Sequence, residues 1–238
     1  MKMFGSFPQW VSVCAIASFS SVAGLAAPQT GNAKVTAVSG NVLLDTAAAK
    51  VGDVAQAGSM VTTGPESKAS LYLGVNGPDV NVLENSKLKL SELTFDDSGA
   101  ETVISTKLGL SDGTIEGYVK KTSQASTYLV TTPTTTAAIR GTLYTIKASG
   151  AVLVWEGCVD VGYRDPGSSR VSNFNVCANQ MFDPGVPGVI DIPAGTPKPS
   201  LGLTGKNDQP PVGPKSFVSP IKGGRPAAIP APVPNPGS

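Results

Sequence analysis

The chain has 238 residues, a formal net charge of +1 at neutral pH and no histidine. Near-neutral charge gives no overall field that would gather nucleic acid or an anionic membrane. The missing imidazole removes the residue most used for acid–base work near neutral pH and the commonest protein metal ligand, so no cofactor, metal or catalytic residue is expected.

At the N-terminus, Met1-Lys2 is followed by an apolar, charge-free run from Val11 to Ala27. That is the length of a signal-peptide core rather than of a comfortable membrane span. Small residues at Gly24 and Ala26 put the expected cleavage after Ala26, ahead of Pro28. Residues 1–26 therefore read as a signal peptide and the remainder as periplasmic or secreted, with no stable membrane insertion after cleavage. Loss of Cys14 with the signal leaves Cys158 and Cys177, an even pair in an oxidising compartment, which points to a disulfide.

From Lys34 the sequence reads as short strands with glycine-rich punctuation. KVTAV and NVLLD flank a turn at Ser39-Gly40, with Val35 and Val38 out of phase. Ala47 to Ala57 is expected to be a loop with at most one short turn of helix, because Gly52-Asp53 interrupts its alanines. SKASLYLG alternates cleanly, and Asn76-Gly77 after it is a strong hairpin signal. Centring the loop there predicts Leu73 opposite Val80 and Leu71 opposite Val82. KLKLSEL alternates with Leu88 and Leu90 on one face, TVISTKLGL and GTIEGYVKK follow as strands, and TYLVTTP ends one at Pro133.

Between Thr131 and Asp160 the alternation carries a fault. Apolar residues hold one parity at Ala137 and Ile139 and the other at Tyr144 and Ile146, so the two-residue period slips around Arg140-Gly141-Thr142. Such a slip is a β-bulge, and glycine accommodates it most easily. After a turn at Ser149-Gly150 the chain climbs through Val152 to Tyr163, turns at Asp165-Pro166-Gly167, and returns as RVSNFNVCANQMF. Centring that turn between Gly167 and Ser168 sets Val161 against Phe174, Val159 against Val176 and Cys158 against Cys177. Directly opposed residues are close enough for a disulfide, so a Cys158–Cys177 bond is predicted.

From Pro184 to Ser238 lie 14 of the 20 prolines and no periodic apolar face. This segment is expected to be a disordered or polyproline-like tail. The domain plan is thus a signal peptide over 1–26, an all-β domain over 27–183 and a tail over 184–238. The fold expected for the domain is mostly antiparallel, strongly twisted sheets, as a sandwich or a short solenoid-like roll.

The motif series Gly52-Asp53, Val61-x-Thr63-Gly64, Ser67-x-Ala69-x-Leu71-x-Leu73 and Gly77, Thr132-Pro133, Ala137-x-Ile139-Arg140-Gly141-Thr142-x-Tyr144-x-Ile146 and Val154-x-Glu156-Gly157-x-Val159-x-Val161 resembles the FecR domain family, over roughly Gly40 to Phe182. In the iron-signalling members of that family, a periplasmic domain reads a siderophore transporter and a cytoplasmic segment acts on a sigma factor. The resemblance implies an exported, non-enzymatic all-β binding or scaffold module of the bacterial envelope, or alternatively the periplasmic sensor of a FecR-type signalling system. Its partner would be an envelope protein or a cell-wall component.

Within that reading, Arg140, Gly141, Thr142, Glu156 and Gly157 form the motif to watch. Arg140 at the bulge either pairs with an internal acid such as Glu156 and fixes the turn, or is aimed at a partner. Gly141 and Gly157 are expected to serve backbone conformation. Trp155 is expected in the core. No GxSxG or SxxK element appears, and Asp96-Asp97-Ser98 lacks the spaced oxygens of a calcium loop.

Overall fold

The computed structural model describes residues 27–77, 79–168 and 170–201. The expected signal peptide, the expected tail beyond Leu201, and Pro78 lie outside the described residues. The first half contains β1 (Gln29–Thr30), β2 (Asn32–Ser39), β3 (Val42–Leu44), β4 (Ala47–Ala48), β5 (Val54–Gln56), β6 (Met60–Thr63), β7 (Lys68–Tyr72), β8 (Asp79–Val82) and β9 (Lys87–Asp96). The second contains β10 (Val103–Asp112), β11 (Thr114–Tyr118), β12 (Thr127–Thr131), β13 (Thr135–Lys147), β14 (Val152–Arg164), β15 (Val171–Cys177), β16 (Gln180–Phe182) and β17 (Val189–Asp191). The one helical element among the described residues is a single 3-10 turn at Gly74–Asn76.

The domain is therefore all-β, as the alternation predicts. The strands join into one strongly curled sheet, antiparallel throughout except for β10 beside β12, which run parallel. One side chain in two along each strand points into the curl, and these form a single apolar core that includes Leu71, Val80, Leu90, Ile115, Ile146 and Val154. The two halves meet where β9 pairs with β10 and where β8 pairs with β11, which in turn pairs with β13. The out-of-phase Val35 and Val38 are explained by a register shift between Val35 and Ala37 against β7.

Three expectations are corrected. Ala47 to Ala57 holds the short strands β4 and β5 rather than any helix, because β3 and β2 offer them ladder partners. The β7–β8 hairpin pairs Leu71 with Val80 and Ala69 with Val82, two residues away from the predicted register. Asn76 is not free to serve as a turn tip. Its buried Nδ2 donates to Thr94 O at 2.7 Å, Thr106 Oγ1 at 3.1 Å and Ser105 O at 3.3 Å, so the connection lengthens around it. A shift of two keeps every side chain on its expected face, which is why apolar residues still oppose one another. Finally, ordered structure continues past Pro184: β17 pairs with β16, and Ile192 N–H donates to Asn179 O at 2.9 Å.

At the centre of the curl, the hydroxyls of Tyr128 and Tyr144 are 3.2 Å apart, with ring centroids at 6.4 Å. Both rings rest on glycine. A Cβ on Gly117 would fall 2.4 Å from Tyr144 Cζ, and one on Gly77 would fall 2.7 Å from Tyr128 Cε2. Burial pushes both phenols above the usual value of 10.0, Tyr144 further because the Tyr128 phenol is beside it.

A raised folded-state value means that stability is intact below the unfolded pKa and falls as pH rises past it, because the unfolded chain then releases protons that the folded chain holds. Ultraviolet titration is expected to show Tyr128 and Tyr144, two of the five tyrosines, ionising only together with unfolding. Well above pH 10 the loss approaches about 1.4 kcal/mol per pH unit for each phenol. Free titration of all five tyrosines in the folded protein would contradict it.

Candidate functional site

β13 is 13 residues long and does not keep one neighbour. Its first half pairs with β12 from Thr136 to Ala138, and its second half pairs with β11 from Leu143 to Lys147. On its other side β14 behaves alike, pairing with β16 from Val152 to Val154 and with β15 from Cys158 to Arg164. Both exchanges of partner fall at one level of the sheet. There Arg140 opposes Cys158, Leu143 opposes Glu156 and Tyr144 opposes Val154. One extra residue on β13 is followed by one extra on β14, so the two slips cancel.

The crossing depends on two glycines. Gly141 has φ +66° and Gly157 has φ +82°, both in the left-handed region. A Cβ on Gly157 would lie 2.4 Å from Gly141 O and 3.0 Å from Thr142 Oγ1. Thr142 is fully buried; its N–H donates to Val119 O at 2.9 Å, its carbonyl accepts from Val119 N–H at 3.0 Å, and its hydroxyl donates to Cys158 O at 3.0 Å. The phase slip read at Arg140-Gly141-Thr142 is thus the β13 half of a double bulge. The β14 half, at Trp155, is invisible in sequence because Val152 to Trp155 is apolar on both parities.

Arg140 is exposed and forms no salt bridge among the described residues. The expected Arg140–Glu156 pair is absent: Glu156 Oε1 instead meets Lys198 Nζ at 2.7 Å. Trp155, expected in the core, is half-buried on the outer face, where Nε1 donates to Thr145 Oγ1 at 3.2 Å. Immediately past the bulge, Cys158 and Cys177 oppose each other in the predicted register, their sulfurs bonded at 2.17 Å and their Cα atoms 4.0 Å apart. Val159 with Val176 and Val161 with Phe174 follow the same register.

The other motif residues serve the scaffold. Thr63, buried, accepts Ser86 N–H at 3.0 Å and donates its hydroxyl to Leu83 O. Ser67 Oγ accepts Asn41 N–H at 2.8 Å and donates to Pro65 O at 2.8 Å. Thr132 Oγ1 accepts Thr135 N–H at 2.9 Å behind Pro133. Gly52 turns at φ +100°, and Asp53 Oδ2 accepts Lys50 N–H at 2.8 Å.

A family model described as FecR protein matches residues 59–160, from β6 into β14 and across the double bulge. That segment of the chain is similar to the FecR family. The match covers the central part of the resemblance and leaves Gly52-Asp53 and Cys177 outside it. Two crystal structures of a candidate anti-sigma factor from Parabacteroides distasonis ATCC 8503, at 1.65 and 2.50 Å resolution, are similar to this chain at 13% identity. The alignments cover 56% of this chain and 58% of those chains, with TM-scores of 0.40 and 0.41, so the likeness spans little more than half their length. A comparison with curated proteins found no match.

Around its double bulge the chain presents an exposed guanidinium at Arg140 and the Cys158–Cys177 disulfide. Among the described residues no group of three His, Cys, Asp or Glu side chains could hold a metal, and no helix is long and apolar enough to cross a membrane. Sequence reading missed Asp79 and Asn81, which alternate with Val80 and Val82 on β8 and look there like an ordinary solvated face; both are buried.

Three variants separate the roles. Gly157→Ala is expected to lose roughly 2–4 kcal/mol in urea denaturation, because strain in the left-handed region adds to the clash. Cys158→Ser/Cys177→Ser is expected to lose about 3 kcal/mol, and two free thiols in non-reducing mass spectrometry of the exported protein would refute the bond. Arg140→Ala is expected to change stability by less than about 0.5 kcal/mol, as befits an exposed side chain with no partner.

Proposed function

We propose that this chain is the exported sensing component of a FecR-type envelope signalling system, acting by binding a partner protein and not by catalysis. The observation that carries the reading is the FecR match over residues 59–160. The polar motif residues Thr63, Ser67, Thr132 and Thr142 are spent on holding the curl, which leaves recognition to exposed groups such as Arg140. Export is supported by the charge-free run from Val11 to Ala27 and by the Cys158–Cys177 bond, a linkage that persists in oxidising compartments. On this reading residues 1–26 are removed after Ala26, the domain works in the periplasm or beyond it, and its partner is an envelope protein. The family resemblance supports signalling over a purely mechanical scaffold.

The test is transcriptional. Deleting the gene in its source bacterium is expected to shift transcripts of a discrete gene set, restored by the full chain but not by Arg140→Glu at equal abundance and stability. Unchanged transcripts alongside a weakened envelope would instead assign a scaffold, and restoration by Arg140→Glu would remove that side chain from the contact.

A further inference from the structure

Sheet register places two rows of side chains on the outer face. One row is Tyr72, Asp79, Tyr118, Leu143 and Glu156; the next is Ser70, Asn81, Glu116, Thr145 and Leu153. An outer face would ordinarily be wet. Here Asn81 is 2% exposed, Leu153 4%, Asp79 6%, and Leu143 and Thr145 8% each.

The chain itself comes back over this face. After β17, residues 193–201, with sequence PAGTPKPSL, join no ladder, as three prolines dictate. Lys198 Nζ reaches Glu156 Oε1 at 2.7 Å, and Ser200 O accepts from Asn81 Nδ2 at 3.3 Å. Those two anchors bracket Leu143, Tyr118 and Asp79 between β14 and β8. The segment is thus a strap across four strands of the sheet, held by an exposed ion pair and a long hydrogen bond.

The strap fits its bed incompletely. Asp79 Oδ2 is buried with no hydrogen-bond partner. Burial holds the Asp79 carboxyl above the usual range, opposed by the charge of Lys120. Three carboxylates, Asp79, Glu116 and Glu156, stand on the face, while the strap brings one cation. Tyr72 and Tyr118 flank Asp79, an aromatic setting of the kind that receives proline-containing extended chains.

Resting on the reading that this domain works by binding a protein, we propose that the outer face of β7, β8, β11, β13 and β14 is the docking surface for an extended basic segment of the partner, and that residues 193–201 occupy it in cis until displaced. The partner's advantage is charge: a second cation or donor reaches the unpaired Asp79 oxygen, which the strap leaves unused. Displacement is easy because an exposed ion pair holds little against solvent and salt.

The experiment uses the full chain and a fluorescent peptide with the sequence of residues 193–201 carrying lysine in place of the serine, read by anisotropy. Lys198→Ala in the protein, by loosening the strap, is expected to tighten peptide binding about threefold to tenfold. Glu156→Gln in that background is expected to reverse the gain, and a peptide with glutamate in place of both cations is expected not to bind. Should a variant fail to fold, hydrogen exchange on the unaltered chain serves: the peptide is expected to speed exchange at Thr196, whose N–H is bonded to Pro193 O, while slowing it on β8. Equal affinity for both peptides, or no change in strap exchange at saturating peptide, would overturn the proposal. Transcription is not read here, so failure would leave the signalling reading standing.

Discussion

The structure depends on one close approach, the α-carbon of Gly157 against the carbonyl of Gly141. Only there do β13 and β14 each carry an extra residue, and only there do both exchange neighbours. Without the double bulge, β13 could not leave β12 and join β11 while remaining paired to β14. Side chains larger than hydrogen at these positions would hold the strands apart or force the left-handed backbone out of shape. Thr142 completes the junction by satisfying backbone groups on both sides of it, which a bulge otherwise leaves bare.

A similar economy governs the interior. The tyrosine pair fills the middle of the curl because Gly117 and Gly77 vacate the space beneath each ring, and the two buried hydroxyls answer each other. Thr63 with Ser86, and Asn76 with Thr94 and Thr106, do the same for backbone groups at strand ends. The FecR motif residues therefore trace the places where a strongly curled sheet must break its own regularity.

How much of this could be read in sequence depended on whether one residue's neighbours determined its role. The Cys158–Cys177 register followed from local alternation and a single turn, and the slip at Gly141 showed because apolar residues flank it on opposite parities. The β7–β8 register did not follow, since Asn76 is committed to strands β9 and β10, far away in the chain. Proximity across the bulge makes Glu156 a candidate partner for Arg140, whereas its actual partner Lys198 arrives from a proline-rich segment whose composition gives no sign of order. Trp155 pointed outward because the second bulge turns it, and an unbroken apolar run conceals a change of phase.

The partner exchange has a consequence for modularity. The FecR match begins at residue 59 and ends at residue 160, yet β7 within it pairs with β2 before it, β6 with β3, β9 with β1, and β14 with β15 and β16 after it. Excised alone, that segment would present several bare strand edges at once, each a template for pairing with another chain. The unit that matches the family and the unit whose strand edges are covered have different boundaries, and the strands outside the match are the ones that close those edges.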